Sequence, residues 1–144
     1  MRKVVILCGV SGAGKSTRVK NEYQNSVVCS ADYYFMVEGE YKFNPKKLSE
    51  AHGQCLRSFV ESIHMGASLI VVDNTNTSVA EIAPYATLAL AYGYELSIEI
   101  FKVDVDAAAT RNLHGVPRET IIKMAQRIDS LEKKLPSWWP KKII

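Results

Sequence analysis

The sequence predicts an α/β fold, a parallel sheet of four to five strands with helices on both faces. Two observations carry this. Short apolar runs alternate along the whole chain with longer segments whose apolar residues recur at three- and four-residue steps, the signatures of buried strands and amphipathic helices. The first run, residues 4–8, is continuous rather than alternating, as expected of a strand covered on both faces.

The elements follow in order. The run at 4–8 is closed by Gly9, a helix is expected over 15–24, and a short second strand over 27–29. Residues 33–44, "YYFMVEGEYKFN", are aromatic and irregular and read as a loop. From 45 to about 65 the pattern is helical, with Leu48, His52, Cys55, Leu56, Phe59 and Ile63 on one stripe. Pro45 suits its first turn and Gly66 its C-terminal cap. A third strand is expected over 69–72. Thr77 or Ser78 is expected to cap a helix reaching about residue 92, bent or restarted near Pro84. Residues 95–103 alternate and read as a fourth strand nearer an edge, and helices are expected over 105–113 and 117–135. In "PSWWP", residues 136–140, Trp138 and Trp139 suit a tail docked on the body; base stacking is the alternative.

A chain of 144 residues suits a single domain, 1–144. Its composition, 47% hydrophobic and 23% charged, is that of an ordinary globular protein. A net charge of +3 does not by itself argue for nucleic acid, yet it accommodates an anionic ligand. Cys8, Cys29 and Cys55 are odd in number and lack metal-ligand spacing. They read as reduced core thiols of a cytoplasmic protein. No charged-then-apolar leader and no apolar run near 18 residues is present, so neither secretion nor a membrane span is expected.

The most specific signal follows the first strand. Residues 9–17, "GVSGAGKST", satisfy G-x-x-x-x-G-K-[ST] between a strand and a helix. Gly9, Val10, Ser11, Gly12, Ala13 and Gly14 form a loop whose backbone N–H groups can turn inward on phosphates. The helix opening at Lys15 adds its positive end. Lys15 is placed for the β and γ phosphates, Ser16 for Mg²⁺, and Thr17 lies beside them. ATP and Mg²⁺ are the expected ligands.

In open α/β sheets ligands sit at the carboxyl ends of the strands. The second strand ends in "SAD", the third in "VVDNTN". Asp32 and Asp73 should therefore meet the phosphate loop on one edge. Asp73 occupies the position of a magnesium-holding aspartate, and Asp32 that of a base for an attacking hydroxyl. Asn74, not glutamate, follows Asp73, so no water-activating carboxylate stands there, and no Asn-Lys-x-Asp guanine-reading motif occurs. Asn74 and Asn76 suit either of two roles, orienting the acceptor or bracing the two aspartates; plain Asx-turn geometry is an equally good account. In "TRNLHGVPR", residues 110–118, Gly115 and Pro117 divide two helices. Arg111 and Arg118 on either side suit arginine clamps on a small lid, or a solvated basic turn. His114 reads as a turn or packing residue.

These stretches resemble the kinase module of the 5′-polynucleotide kinases: the phage end-healing kinases, the kinase half of animal polynucleotide kinase/phosphatase, and a module of some animal Smr-domain proteins. The resemblance spans nearly the whole chain. It rests on "GVSGAGKST", "SADYYF", "VVDNTNTS" and "RNLHGVPRETI" in that order. It implies a P-loop kinase fold with a helical lid at about 106–120, and ATP-dependent transfer to the 5′-hydroxyl ends of DNA or RNA. The host cytoplasm would be the location if the chain is phage-encoded. By the same resemblance Asp32 is the general base, Lys15 and Ser16 contact phosphate and magnesium, Asp73 is the aspartate of the "DTN" motif, and Arg111, with Arg118, belongs to the lid. A small-molecule kinase of the same fold is the alternative. Two features depart from the pattern. Phe35 stands where the phage enzymes carry an arginine that binds the acceptor strand. A 3′-phosphatase half is absent, and "DVDAA" at 104–108 lacks the threonine of a phosphatase signature.

Overall fold

Five strands form one parallel sheet in the computed structural model, in which residues 1–111 and 115–144 are described. The chain runs β1 (Lys3–Cys8), α1 (Lys15–Glu22), β2 (Val27–Cys29), a 3₁₀ turn (Ala31–Phe35), a small hairpin of β3 (Met36–Val37) and β4 (Glu40–Tyr41), then α2 (Leu48–His64). It continues with β5 (Leu69–Asp73), α3 (Val79–Ala91), β6 (Glu95–Ile100), α4 (Val105–Thr110), α5 (Arg118–Lys134) and β7 (Lys141–Ile143). The spatial order is β2-β5-β1-β6-β7, so β1 is central. It pairs from Lys3 to Leu7 with β5 and from Lys3 to Cys8 with β6.

The pleat explains why the run in β1 is continuous. Val4, Ile6 and Cys8 face one core, shared with Phe59 of α2 and Ile82 of α3. Val5 and Leu7 face the other, shared with Val19 of α1, Ala108 of α4 and Ile121 of α5. Each large aliphatic or aromatic side chain buried this way contributes about 1.5–3 kcal/mol. The cysteines are free and buried in this interior.

Four elements differ from expectation, each for a local reason. The 33–44 segment contains the β3–β4 hairpin, because Glu38 and Gly39 both take positive φ, 51° and 82°. Such a pair makes the turn that matches strand twist, but glutamate there gives no sequence signal. α3 runs on through Pro84 rather than restarting there; Ile82, Tyr85, Ala86 and Ala89 are buried around it and hold the helix through the lost hydrogen bond. β6 ends at Ile100 and is internal, because β7 pairs beside it from Lys141 to Ile143. Of the two tryptophans only Trp139 docks, 7% exposed, while Trp138 is 74% exposed. Other expectations hold closely. Ser78 caps α3: its Oγ accepts from the Glu81 N–H and its hydroxyl donates to Glu81 Oε1. Gly66 closes α2 with the paired bonds of a Schellman motif, Gly66 N to Ile63 O and Ala67 N to Ser62 O.

Two contacts set α1 and the loop before it. Glu99 of β6 is fully buried. It accepts from Arg18 Nε at 3.0 Å and Nη2 at 3.3 Å, and from the Tyr23 hydroxyl. Lys142 of β7 lies 3.4 Å away but is half exposed, so it adds little. Burial pushes the Glu99 carboxyl up; the hydrogen bonds from Arg18 and Tyr23, with the charges of Arg18 and Lys142, outweigh this and hold it below its ordinary value. Burial, then the bond to Glu99, pushes the Tyr23 phenol up to about 12, so it stays a donor. The second contact is a close approach. Gly12 has φ +84°, and a Cβ there would lie 2.3 Å from the Ala108 carbonyl oxygen of α4. Gly14 has φ +100° but open space around it.

Glu99→Gln should cost roughly 3 kcal/mol at neutral pH, the low end for removing one partner of a buried pair, because glutamine still accepts a hydrogen bond. A carboxyl held below its ordinary 4.5 stabilises the fold above that pH and loses this as pH falls through its folded value. The stability gap between wild type and variant should therefore narrow below about pH 4.5 in urea titrations; a constant gap down to pH 3 would contradict the assignment. Gly12→Ala and Gly14→Ala should separate in the same assay. Both take on the left-handed backbone cost of about 1–2 kcal/mol, and only Gly12→Ala adds the clash with α4. Equal losses would show that the loop and α4 are not in contact.

Candidate functional site

β1, β2 and β5 deliver their carboxyl ends to one edge. β1 runs into the 9–14 loop, β2 into Ser30–Asp32, and β5 ends on Asp73. Gly14 occupies the N-cap of α1 without a side-chain cap, and the first turn holds no acidic residue. The positive end of α1 is thus left for an anion. Lys15, the first residue of α1, donates to the Asn74 carbonyl at 3.0 Å and stands 3.7 Å from Asp73 Oδ1. Its side chain is only 12% exposed. Burial pushes the ammonium down, and the charges of Asp73 and Asp32 oppose this. Lys15 thus feels both carboxylates, as the topology predicts.

The "DNTN" turn is a brace. Asn74 is buried; its Oδ1 accepts from the Ala31 N–H at 2.8 Å and its Nδ2 donates to Cys55 Sγ of α2 at 3.5 Å. Asn76, at φ 47°, donates through Nδ2 to the Leu7 carbonyl at 2.8 Å. Between them, the Thr75 carbonyl accepts from the Gly9 N–H at 2.9 Å. Of the two roles open to the asparagines, these contacts fill the bracing one.

Asp32 begins in a capped turn: its N–H donates to Ser30 Oγ at 3.2 Å. Its Oδ1 accepts from the Tyr41 hydroxyl of β4 at 3.3 Å. Burial and then the Asp32 charge push the Tyr41 phenol up to about 12, so it remains a donor to the carboxylate. Sequence spacing did not reveal this partner, because the hairpin that returns Tyr41 to Asp32 read as loop. Nor did it reveal Arg18, Tyr23 and Glu99, since a glutamate in an alternating strand reads as solvent-facing. Phe35, in the position of the phage arginine, is buried against Tyr34, Tyr41 and Phe43 with ring centroids 5.1–6.2 Å apart.

The arginines lie on the two helices of the expected lid and are exposed. Arg111 caps α4 and its Nε donates to the Ala107 carbonyl at 3.3 Å; Arg118 opens α5 and pairs with Asp106 of α4. These contacts keep both guanidinium groups on the lid rather than against Lys15. Residues 112–114, and with them His114 and the end of the helix expected to 113, lie outside the described residues. Ser16, in the exposed first turn of α1, and Asp73, 19% exposed at the end of β5, are oxygen donors on the same edge. Among the described residues no group of three or more His, Cys, Asp or Glu forms a metal cage. A sparse oxygen pair fits a magnesium ion that arrives largely ligated by phosphate and water. No described helix is long and apolar enough to cross a membrane.

Comparison with known proteins agrees with this geometry. NEDD4-binding protein 2 of Homo sapiens is 33% identical over 150 aligned residues, 97% of this chain and 8% of that protein. This chain therefore corresponds to a small part of that relative. A chain of the Pnkp1/Rnl/Hen1 RNA repair complex superimposes with a TM-score of 0.74 at 19% identity, over 94% of this chain and 46% of that one. A sugar kinase from Janibacter sp. gives 0.61 at 13% identity, over 100% of this chain and 85% of that one. At such identities the likeness is one of fold, and the fold is that of P-loop kinases. A family model described as an AAA domain matches residues 4–129, which take in the phosphate loop, Asp32, Asp73 and the lid helices; the chain belongs to this AAA-domain family of P-loop proteins.

Proposed function

We propose that the protein is an ATP-dependent kinase that phosphorylates the 5′-hydroxyl of DNA or RNA in the cytoplasm. The observation that carries the reading is a second carboxylate beside the phosphate loop. Asp32 stands at the end of β2 with a tyrosine donor on one oxygen, while the residue after Asp73 is a buried asparagine spent on bracing. A water-activating site needs a carboxylate after Asp73; a site that passes phosphate to an alcohol needs one at Asp32. The match to a chain of an RNA repair complex supports nucleic-acid ends as the acceptor.

ATP with Mg²⁺ supplies the transferable γ-phosphoryl group. Loop and first-turn N–H groups other than those of Gly9 and Ala13, which are bonded to the Thr75 and Val10 carbonyls, cradle the phosphates, and the Lys15 ammonium offsets their charge. Ser16 and Asp73 are the residues that would hold the metal. Asp32 positions the acceptor hydroxyl and takes its proton as the oxygen attacks. The Tyr41 hydroxyl fixes which way the Asp32 carboxylate faces. Asn74 and Asn76 keep Asp32, Asp73 and the loop in register. Arg111 and Arg118 act when the lid closes, with Arg118 leaving Asp106 to face the phosphates. A second reading, transfer to a sugar or nucleoside, is favoured by the match to a sugar kinase and by the small net charge.

Incubation with γ-labelled ATP and a 5′-OH oligonucleotide, beside a panel of sugars and nucleosides, decides between the two. Asp32→Asn keeps the shape and loses the proton acceptor. Its turnover should fall about 10²–10⁴-fold with ATP affinity little changed; an unaltered rate would exclude Asp32 as the base. Arg111→Ala should lower kcat more than it weakens ATP binding, because a lid cation does most for charge that develops during transfer. A change confined to ATP affinity would make Arg111 a binding residue only.

A further inference from the structure

The surface beside Asp32 is aromatic, and one ring of it is unused. Tyr34, Phe35, Tyr41 and Phe43 pack on one another around the hairpin. Tyr33 is 58% exposed and has no ring partner among the described residues. Yet its backbone is rigidly held. Its N–H donates to the Ser30 carbonyl at 3.2 Å, inside a turn whose first N–H is pinned by Asn74. Tyr33 follows Asp32 directly, so its ring stands one residue from the carboxylate that would meet the acceptor hydroxyl.

A nucleic-acid acceptor needs a grip near that hydroxyl. Phe35 is buried and uncharged where an arginine would hold the neighbouring phosphate, and the net charge of +3 gives weak general attraction. Base–aromatic stacking supplies affinity without charge and tolerates any base. We propose that the Tyr33 ring is the stacking platform for the 5′-terminal base of the acceptor strand. This rests on the 5′-hydroxyl kinase reading. The aromatic grip takes the place of the phosphate clamp, and it selects a nucleotide end over a bare sugar. The occupant is a nucleobase rather than a protein surface because Tyr33 follows Asp32 in the same short turn, and adjacent residues keep their side chains within about one nucleoside's length of each other.

The test compares a 5′-OH oligonucleotide with the same strand carrying an abasic 5′ residue. With the intact oligonucleotide, Tyr33→Ala should raise the acceptor KM about 5- to 150-fold, leaving the KM for ATP and kcat near wild type. Tyr33→Trp should keep the low KM. Tyr33→Leu, which retains apolar bulk without a ring face, should resemble the alanine variant and serves if that variant folds poorly. With the abasic strand, wild type should already show the loss, and Tyr33→Leu should add nothing to it. A 2-aminopurine placed as the 5′ base should be quenched on binding to wild type and not to Tyr33→Leu. Equal losses on both strands, or no loss on either, would overturn the proposal while leaving the kinase reading intact. If the wild-type protein phosphorylates no oligonucleotide but does phosphorylate a sugar, the kinase reading fails first and the platform with it.

Discussion

The site depends on the hydrogen bonds of a four-residue turn. Strands in a parallel sheet are joined along their length, but their carboxyl ends are free to diverge. Here the ends of β1, β2 and β5 are tied together by the turn after Asp73. Asn76 holds the Leu7 carbonyl, Thr75 the Gly9 N–H, Asn74 the Ala31 N–H, and the Asn74 carbonyl the Lys15 ammonium. Each bond is modest, about 0.5–1.5 kcal/mol net, yet a buried carboxamide without its partner costs more than the bond gains. All of them are satisfied only when the loop, Asp32 and Asp73 hold one arrangement. The turn thus converts buried polar groups, normally a liability, into preorganisation.

A second constraint works from the opposite side of the loop. Glu99 anchors α1 through Arg18 and Tyr23, and Gly12 lets the backbone of α4 sit against the loop. The phosphate loop is therefore gripped at its start by the asparagine turn, in its middle by α4, and beyond its end by β6. Only its inward N–H groups and the helix end are left for a ligand. Through this contact any movement of α4 and the fit of the loop are mechanically linked.

How much of this could be read beforehand follows from what each signal encodes. The loop, Lys15, Asp32 and Asp73 were legible, because backbone conformation and charge at strand ends demand particular residue types at particular spacings. The order of the larger elements was legible from apolar periodicity. Glu99 was not, since its burial is decided by Arg18, 81 residues away. Tyr41 was hidden by a turn whose glutamate adopts a conformation usually given to asparagine or glycine. β7 was hidden because "KKII" has no alternation; it becomes a strand only by pairing with β6. Asn74 and Asn76 were visible as special, but their role depended on which carbonyls and N–H groups came within reach.

The central place of β1 has a consequence for how the chain reaches this state. The first strand of this domain is the middle of the sheet, and its two neighbours begin at Leu69 and Glu95. The first pairing needs about half of the chain to have been made, and the second about two thirds. For that interval "VVILC" has both its backbone edges unpaired and both apolar faces uncovered, the condition in which a nascent chain is most prone to stick to others. The sheet is then closed by long-range contacts, which form slowly.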